Sequence, residues 1–488
     1  MLANVRSLLQ ALAHATIRYG VFKSTRALAY GLAGTQDLDI IVHREDYTHF
    51  SQIMAEHGAI RSATNRMLLS PGREDWFLPD YESASYLHFD VHTRIVVGAK
   101  FSKTFVAFDY DDISEWVTTG GLPPRVSVLD EARITLSRIS FRENGRLFSR
   151  TVAPGGDWKT EVSELLFPQG SPDSAQILFP HLGAEVSLNV RRKADGFLLD
   201  RAELRTLRQQ IISRNGGGWL AHRANYLRSA LRGAAYKLTR SFEMVFPGRV
   251  LSRRGPVTGG LAVAIIAPDG LGKSTQVARL DKIFSWKFSA TKEYLGTGDG
   301  DGWLLRRVLY GIYDRRKRKK SKAGQHTESQ NSSEKSGNIL IVWLRALWGS
   351  MVALERYQTV RRVINARNRG FIVICDRWPQ SMEAGRMDGP VDLSAHADIP
   401  LVRWLGRMEH ALYARIDRMP ADLMIHMVAD HAVSAARKPD EIAKPAYEAR
   451  IDLMRRLRAS DPRIVVIDAA QDIDRVTSQI FQQVWERL

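Results

Sequence analysis

Leu261–Ile266 (LAVAII) runs directly into Ala267-Pro268-Asp269-Gly270-Leu271-Gly272-Lys273-Ser274-Thr275, and then into Gln276–Phe284 (QVARLDKIF). Six consecutive apolar residues of strand length fit a strand buried on both faces, as in a parallel sheet. Gly270 and Gly272 allow backbone dihedrals that turn successive N–H groups inward around a phosphate, and the N-terminus of the following helix adds partial positive charge. In such a loop Lys273 reaches the β- and γ-phosphates and Ser274 ligates Mg²⁺. Asp269, Gly270, Leu271, Gly272, Lys273, Ser274 and Thr275 are therefore the candidates for binding ATP. The first glycine of the short phosphate-loop pattern is Ala267 here, so the strand–loop–helix context carries the assignment.

Further along, Phe371–Cys375 is a second buried-strand pattern, and it ends in Asp376-Arg377-Trp378. Leu354-Glu355-Arg356 lies on the helical stretch before it. Pro420–Val428 (PADLMIHMV) precedes Ala435-Ala436-Arg437-Lys438, and Arg463–Asp468 (RIVVID) is the last strand pattern. Strand and helix patterns alternate over residues 256–488, which predicts an α/β domain with a parallel sheet between helices. In this order the motifs resemble those of thymidylate kinases over roughly residues 260–488. The resemblance implies transfer of the γ-phosphoryl group of ATP, with Mg²⁺, to a small acceptor. It makes Lys273, Asp376, Arg437 and Lys438 catalytic candidates, the last two in a lid that also holds Lys444. It assigns Ser274 and Asp376 to the metal, and Asp269, Arg356 and Arg377 to the acceptor. Gly270 stands where some relatives carry a loop arginine, so cations are expected from the lid. Gly296–Gly302 (GTGDGDG), Pro379-Gln380-Ser381 and Asp388-Gly389-Pro390 depart from the thymidylate kinase pattern. The acceptor stays open between a nucleoside monophosphate and another phosphate- or hydroxyl-bearing molecule.

Near the N-terminus, Phe22-Lys23-Ser24 and a helical stretch precede the strand pattern Asp37-Leu38-Asp39-Ile40-Ile41-Val42. Strand alternation puts Asp37 and Asp39 on one face, and Asp90, in His88-Phe89-Asp90-Val91-His92, is a third acid on a strand-like run. This arrangement resembles the nucleotidyltransferase superfamily of DNA polymerase beta, with Lys23-Ser24 in place of the family's glycine pair. The resemblance implies a mixed α/β domain over residues 1–125. Asp37, Asp39 and Asp90 would hold two Mg²⁺ ions that activate a hydroxyl and stabilise leaving pyrophosphate. Both an active site and a relic fit this reading.

The 488 residues suffice for two or three domains, and 44% hydrophobic with 25% charged residues is an ordinary globular balance. A net charge of +17 favours polyanionic partners: nucleotides, nucleic acid or an anionic membrane surface. The single cysteine, Cys375, excludes an internal disulfide and suits a reducing, cytoplasmic compartment. No apolar run is long enough for a membrane span, and Leu2, Val5, Leu9, Leu12 and Ile17 recur at helical spacing. Residues 126–255 read as a connecting region. Its first part is rich in Gly, Pro and short β-like runs. Its second part, Leu198–Phe242, is helical and basic, with Arg201, Arg205, Arg208, Arg223, Arg228, Arg232 and Arg240, broken at Gly216–Gly218. That basic face fits nucleic acid, a membrane surface, plain solvent, or a platform closing the nucleotidyltransferase-like site. Pro247–Gly260 reads as a linker, and residues 315–337 as a disordered polar insertion. The leading expectation is a P-loop phosphotransferase fused to a nucleotidyltransferase-like domain. The alternative is a nucleotidyltransferase, or a nucleic-acid-directed regulatory ATPase, in which the P-loop domain is a switch rather than a metabolic kinase, and homodimerisation is open.

Overall fold

The computed structural model describes the chain except residues 1, 24–27, 65–69, 119–122, 143–150, 153–156, 169–171, 195, 246–253, 297–338, 397 and 439–442. Ser24, most of Gly296–Gly302, half of the expected linker and the whole of the expected insertion lie outside the described residues. The chain divides into two compact units, Met1–Thr258 and Gly259–Leu488. Among the described residues no helix is long and apolar enough to cross a membrane.

In the first unit an eight-stranded mixed sheet runs in the order Arg254–Pro256, Ile60–Thr64, Arg73–Asp80, Ser85–His92, Leu38–Val42, Tyr19–Val21, Arg125–Val126, Trp116–Val117. Leu38–Val42 lies parallel to Ser85–His92, with Asp39 opposite Asp90. Val5, Leu8, Leu9 and Leu12, from the apolar stripe of helix Ala3–His14, are buried in one core with Ile40, Phe50 and Leu87. Arg254–Pro256, which reads as linker in the sequence, pairs antiparallel with Ile60–Thr64 and closes an edge of the sheet.

Residues 126–255 differ from a connecting region. Their four-stranded sheet, in the order Thr151–Val152, Gly196–Asp200, Ser187–Lys193, Ser174–Leu178, buries Leu188, Val190 and Leu199 in the same core as Phe22, Ile41 and Phe105. The β-like first part also contains the helix Val128–Arg142. Residues 130–137 of that helix are all buried, Asp130, Glu131, Arg133, Thr135 and Ser137 among them, so its polar residues do not mark an exposed face by which a helical period could be read. Asp130 is fully enclosed there, accepting bonds from Ser114 and Glu115 backbone N–H groups and from Arg133.

The basic stretch forms two helices, Arg201–Arg214 and Trp219–Val245, interrupted at Gly216–Gly218. The second is held by polar contacts. Asn225 accepts from the Ala99 N–H at 2.9 Å and donates to the Ser102 carbonyl at 2.6 Å and Thr104 Oγ1 at 2.8 Å. Ser229 accepts from the Phe101 N–H at 3.0 Å.

The second unit holds a five-stranded sheet in the order Ala290–Tyr294, Ile372–Asp376, Leu261–Ile266, Leu423–Val428, Ile464–Asp468, every pair parallel. Leu261–Ile266 is central and buried along its whole length. Helices Lys273–Phe284 and Ile473–Trp485 pack through Phe284, Phe481 and Trp485, with Phe284 and Phe481 stacked 5.7 Å apart. Ile339–Asn368, Pro400–Asp417 and Lys444–Ser460 are its other long helices among the described residues.

Asn225→Ala removes partners from a buried N–H and a buried carbonyl, and leaving such groups unsatisfied costs about 1–3 kcal/mol each. It should release helix Trp219–Val245 first, read as faster amide exchange across that helix, with a lower urea midpoint for the first unit.

Candidate active site

The phosphate loop has the conformation its glycines permit. Gly270 and Gly272 adopt φ of +82° and +78°, and Gly272 caps the helix that begins at Lys273. A Cβ at residue 270 would lie 2.9 Å from Ser434 Oγ and 3.0 Å from the Ser434 carbonyl, so helix His431–Arg437 packs against the loop. Ser434 Oγ also donates to the Asp269 carbonyl at 2.8 Å.

Asp376, at the C-terminal end of strand Ile372–Asp376, stands opposite Ile265 of the loop-bearing strand. Lys273 Nζ lies 2.8 Å from Asp376 Oδ1, and Ser274 Oγ donates to Asp376 Oδ2 at 3.0 Å. Lys273 and Asp376 are both buried. A hydroxyl and a carboxylate side by side form the hard-oxygen donor set that Mg²⁺ takes, beside a lysine and a glycine loop able to receive phosphates. The residues present fit Mg²⁺–ATP.

Beyond this triad runs a chain of alternating charges. Arg450, on helix Lys444–Ser460, donates to Asp269 Oδ2 at 2.6 Å, and Arg377 donates to Asp269 Oδ1 at 3.0 Å. Burial opposes ionisation of Asp269, but the Arg450 hydrogen bond and the Arg377 charge outweigh it and hold the carboxyl below its usual range. Arg377 Nη1 also lies 3.4 Å from Asp388 Oδ2. Arg356, on helix Ile339–Asn368, donates to Asp388 Oδ1 at 2.7 Å, the Asp388 carbonyl at 2.7 Å, the Leu295 carbonyl at 3.1 Å and the Tyr413 hydroxyl. Of five guanidinium N–H groups, four thus meet protein acceptors.

Arg377, Met387 and Asp388 are non-glycine residues at φ of +74°, +41° and +63°. Left-handed backbone costs about 1–3 kcal/mol per residue, and such outliers cluster at functional sites. A Cβ at residue 296 would lie 2.8 Å from Arg377 Cδ and 2.4 Å from the Tyr294 hydroxyl, so those side chains pack close over Gly296.

The structure thus gathers Asp269, Gly270, Gly272, Lys273, Ser274, Asp376 and Arg377 around one loop, with Arg356 joined to them through Asp388. Leu271 is buried, and Thr275 follows on the first turn of the helix. Arg437 and Lys438 are exposed at the end of helix His431–Arg437, beside residues outside the described set. Lys444 is exposed, 3.8 Å from Glu448. Among the described residues of this region, Arg450 is a cation that reaches the loop. Sequence reading missed Arg450, Asp388 and Ser434. Asp388, in a segment that departs from the family pattern, carried the one available signal.

A cavity of about 210 Å³ opens beside this loop segment, lined in part by Trp378, Gln380, Met387, His426 and Asp461. Burial lowers the His426 pKa to about 4.

In the first unit, ligand atoms of Asp39, Asp90 and His92 lie within 4.8 Å of one another. Asp37 is not in that set, a correction to the expected trio. It precedes its strand, is exposed, and its Oδ1 lies 3.1 Å from His88 Nδ1. Lys23 pairs with Asp39 at 3.0 Å, and Arg73 with Asp90 at 2.6 Å. Burial opposes ionisation of Asp90, but His92 and Arg73 hold its carboxyl well below the usual range. His88 Nε2 lies 2.8 Å from Asp75 Oδ1. Its pKa is raised, because Asp37 and Asp75 outweigh the burial that would lower it.

No family model matches the chain. It is similar to two proteins of Escherichia coli (strain K12), the uncharacterized ATP-binding proteins YghR and YghS. YghR is 26% identical over 224 residues, 44% of this chain and 84% of that protein. YghS is 26% identical over 219 residues, 44% and 88% respectively. Among solved structures it is similar at 14% identity to the thymidylate kinase of Candida albicans, covering 47% of this chain and 92% of that one with a TM-score of 0.28. The thymidylate kinase of Ehrlichia chaffeensis, also at 14% identity, covers 47% and 99% with a TM-score of 0.27.

The buried His426 makes the second unit acid-sensitive. The unfolded chain takes up a proton as pH falls through the ordinary histidine value near 6.5, whereas the folded chain resists until about 4. The stability difference is present above that window and is lost as pH falls through it, by roughly 3 kcal/mol. Urea midpoints of the second unit at pH 7 and near pH 4 should show this loss, and His426→Leu should flatten it.

Proposed function

We propose that the unit Gly259–Leu488 is an ATP-dependent phosphotransferase of the thymidylate kinase type, passing the γ-phosphoryl group to a small acceptor. The observation that carries this reading is Asp376, whose two oxygens hold Lys273 and Ser274 at the mouth of the glycine loop. The names of YghR and YghS as ATP-binding proteins agree with it.

Ser274 and Asp376 would hold Mg²⁺, which when bound neutralises phosphate charge across the β- and γ-oxygens. Loop N–H groups of residues 270–275 surround the phosphates, and Lys273 turns from Asp376 to the β/γ oxygens. The acceptor oxygen bonds to the γ-phosphorus as the bridging bond to ADP breaks, and any acceptor proton leaves to a nearby carboxylate or to water. Arg377, tethered by Asp269, lines the acceptor side.

The state of Arg356 and Arg377 favours a hydroxyl-bearing acceptor over a phosphate monoester. A monoester needs open guanidinium forks, and both are turned to Asp388. The same logic bears on the first unit. Lys23 and Arg73 already neutralise Asp39 and Asp90, which favours a nucleotidyltransferase-like domain without two-metal catalysis.

Lys273→Ala should lower ADP and product formation by at least ~10²-fold, since loss of one transition-state donor costs that much. Activity within a few-fold of the parent, in a screen of nucleoside monophosphates, nucleosides and sugars with Mg²⁺–ATP, would remove this loop from catalysis. Asp388→Asn weakens the hold on both arginines, so it should raise affinity for nucleoside monophosphates, measured calorimetrically in the presence of ADP.

A further inference from the structure

Helix Trp219–Val245 presents its apolar face to water and its polar face to the protein. At 3.6 residues per turn, Leu220, Leu227, Leu231, Leu238, Phe242 and Val245 fall within an arc of about 60°. They are 44–74% exposed. The opposite side carries Asn225 and Ser229, buried and hydrogen-bonded to the hairpin Ile95–Phe108, and Gly233, where a Cβ would lie 2.8 Å from the Phe101 ring. The normal arrangement buries the leucine stripe. Here polar bonds fix the helix so that the stripe stays outside.

Basic side chains flank the stripe on both sides, Arg223 and Lys237 on one, Arg228 and Arg232 on the other. Trp219, 64% exposed, stacks under the Arg223 guanidinium at 4.2 Å. Glu243 is the one acidic residue in the helix.

We infer that this face docks in the plane of an anionic phospholipid surface. The leucine stripe enters the acyl boundary while the flanking arginines and lysine meet lipid phosphates, the arrangement of an interfacial amphipathic helix. Charge complementarity decides against the other occupants. A second copy would set arginines against arginines with almost no acidic partner, and nucleic acid would engage the cations but leave six large apolar side chains in water. The helix is about 40 Å long, at 1.5 Å per residue, and lies along the surface rather than across it.

The test is co-sedimentation of the full chain with large vesicles of phosphatidylcholine alone, or with about one third phosphatidylglycerol, at low and raised salt. The parent protein should bind the anionic vesicles at least ~10-fold more tightly than the neutral ones, and less tightly at raised salt. Leu227→Asp/Leu231→Asp should lower that binding by ~10-fold or more, because both side chains point away from the core. The thermal shift produced by Mg²⁺–ATP should not change in that variant. Absence of binding to anionic vesicles, or equal binding by the variant, overturns the inference. A dimer abolished by the double substitution, without vesicle binding, assigns the face to a second copy instead. Duplex binding that survives it, again without vesicle binding, assigns the charge to nucleic acid.

Discussion

The carboxylate of Asp376 is the point at which strand, loop and helix of the second unit are fastened together. A carboxylate taken out of water is tolerable when it is paired and hydrogen-bonded, and Asp376 meets both conditions through residues 273 and 274. Its position is set by the parallel register that places it opposite Ile265, one residue from the strand's end. Strand position, loop conformation and the first turn of the helix are thus one constraint. In the proposed reaction Lys273 would turn to a phosphate as a metal ion takes its place at the carboxylate, which would couple the binding of nucleotide and metal.

From that point the ordering spreads through the arginines. Arg450, Asp269, Arg377, Asp388 and Arg356 alternate in sign and join helix Lys444–Ser460, the phosphate loop, the segment after strand Ile372–Asp376, and helix Ile339–Asn368. Two of the five, Arg377 and Asp388, hold left-handed backbone that only their surroundings can maintain. An acceptor that displaces Asp388 would relax that strain while breaking the pairs that impose it. Arg377 and Asp269 join the phosphate loop to the segment that holds Asp388, and in the proposed reaction they would couple the donor and acceptor sides.

The parts legible in the sequence were those written locally. Leu261–Ile266 read as a strand residue for residue, and Leu38–Val42 with only Asp37 added at its start, because buried strands are short apolar runs bounded by loop chemistry. The glycine loop was legible because its function requires particular dihedrals. Arg450 was not, since its partner Asp269 lies 181 residues away and an arginine on an exposed helix looks like any other. His92 was missed because the search was for carboxylates, although it lies on the same strand as Asp90. Val128–Arg142 was hidden by its own burial. The inverted face of Trp219–Val245 escaped notice because periodicity shows that a helix is amphipathic but not which side the protein covers.

The distribution of charge separates the two basic features of the chain. Around the phosphate loop, Lys273, Arg356, Arg377 and Arg450 face Asp269, Asp376 and Asp388, so four cations less three carboxylates leave a surplus of one. That surplus is small against the several negative charges of a nucleoside triphosphate, and in the proposed reaction a divalent ion would supply part of the rest. Such a balanced site selects by geometry, since every guanidinium has a protein partner to leave before it can meet a ligand. Helix Trp219–Val245 is the opposite case. Arg223, Arg228 and Lys237 are exposed beside an apolar stripe, and a surface that is both negative and apolar satisfies the two together. The net charge of +17 is therefore not a measure of the nucleotide site. Most of it lies outside the phosphate loop, and exposed charge there attracts a polyanion over a Debye length of about 8 Å at physiological salt.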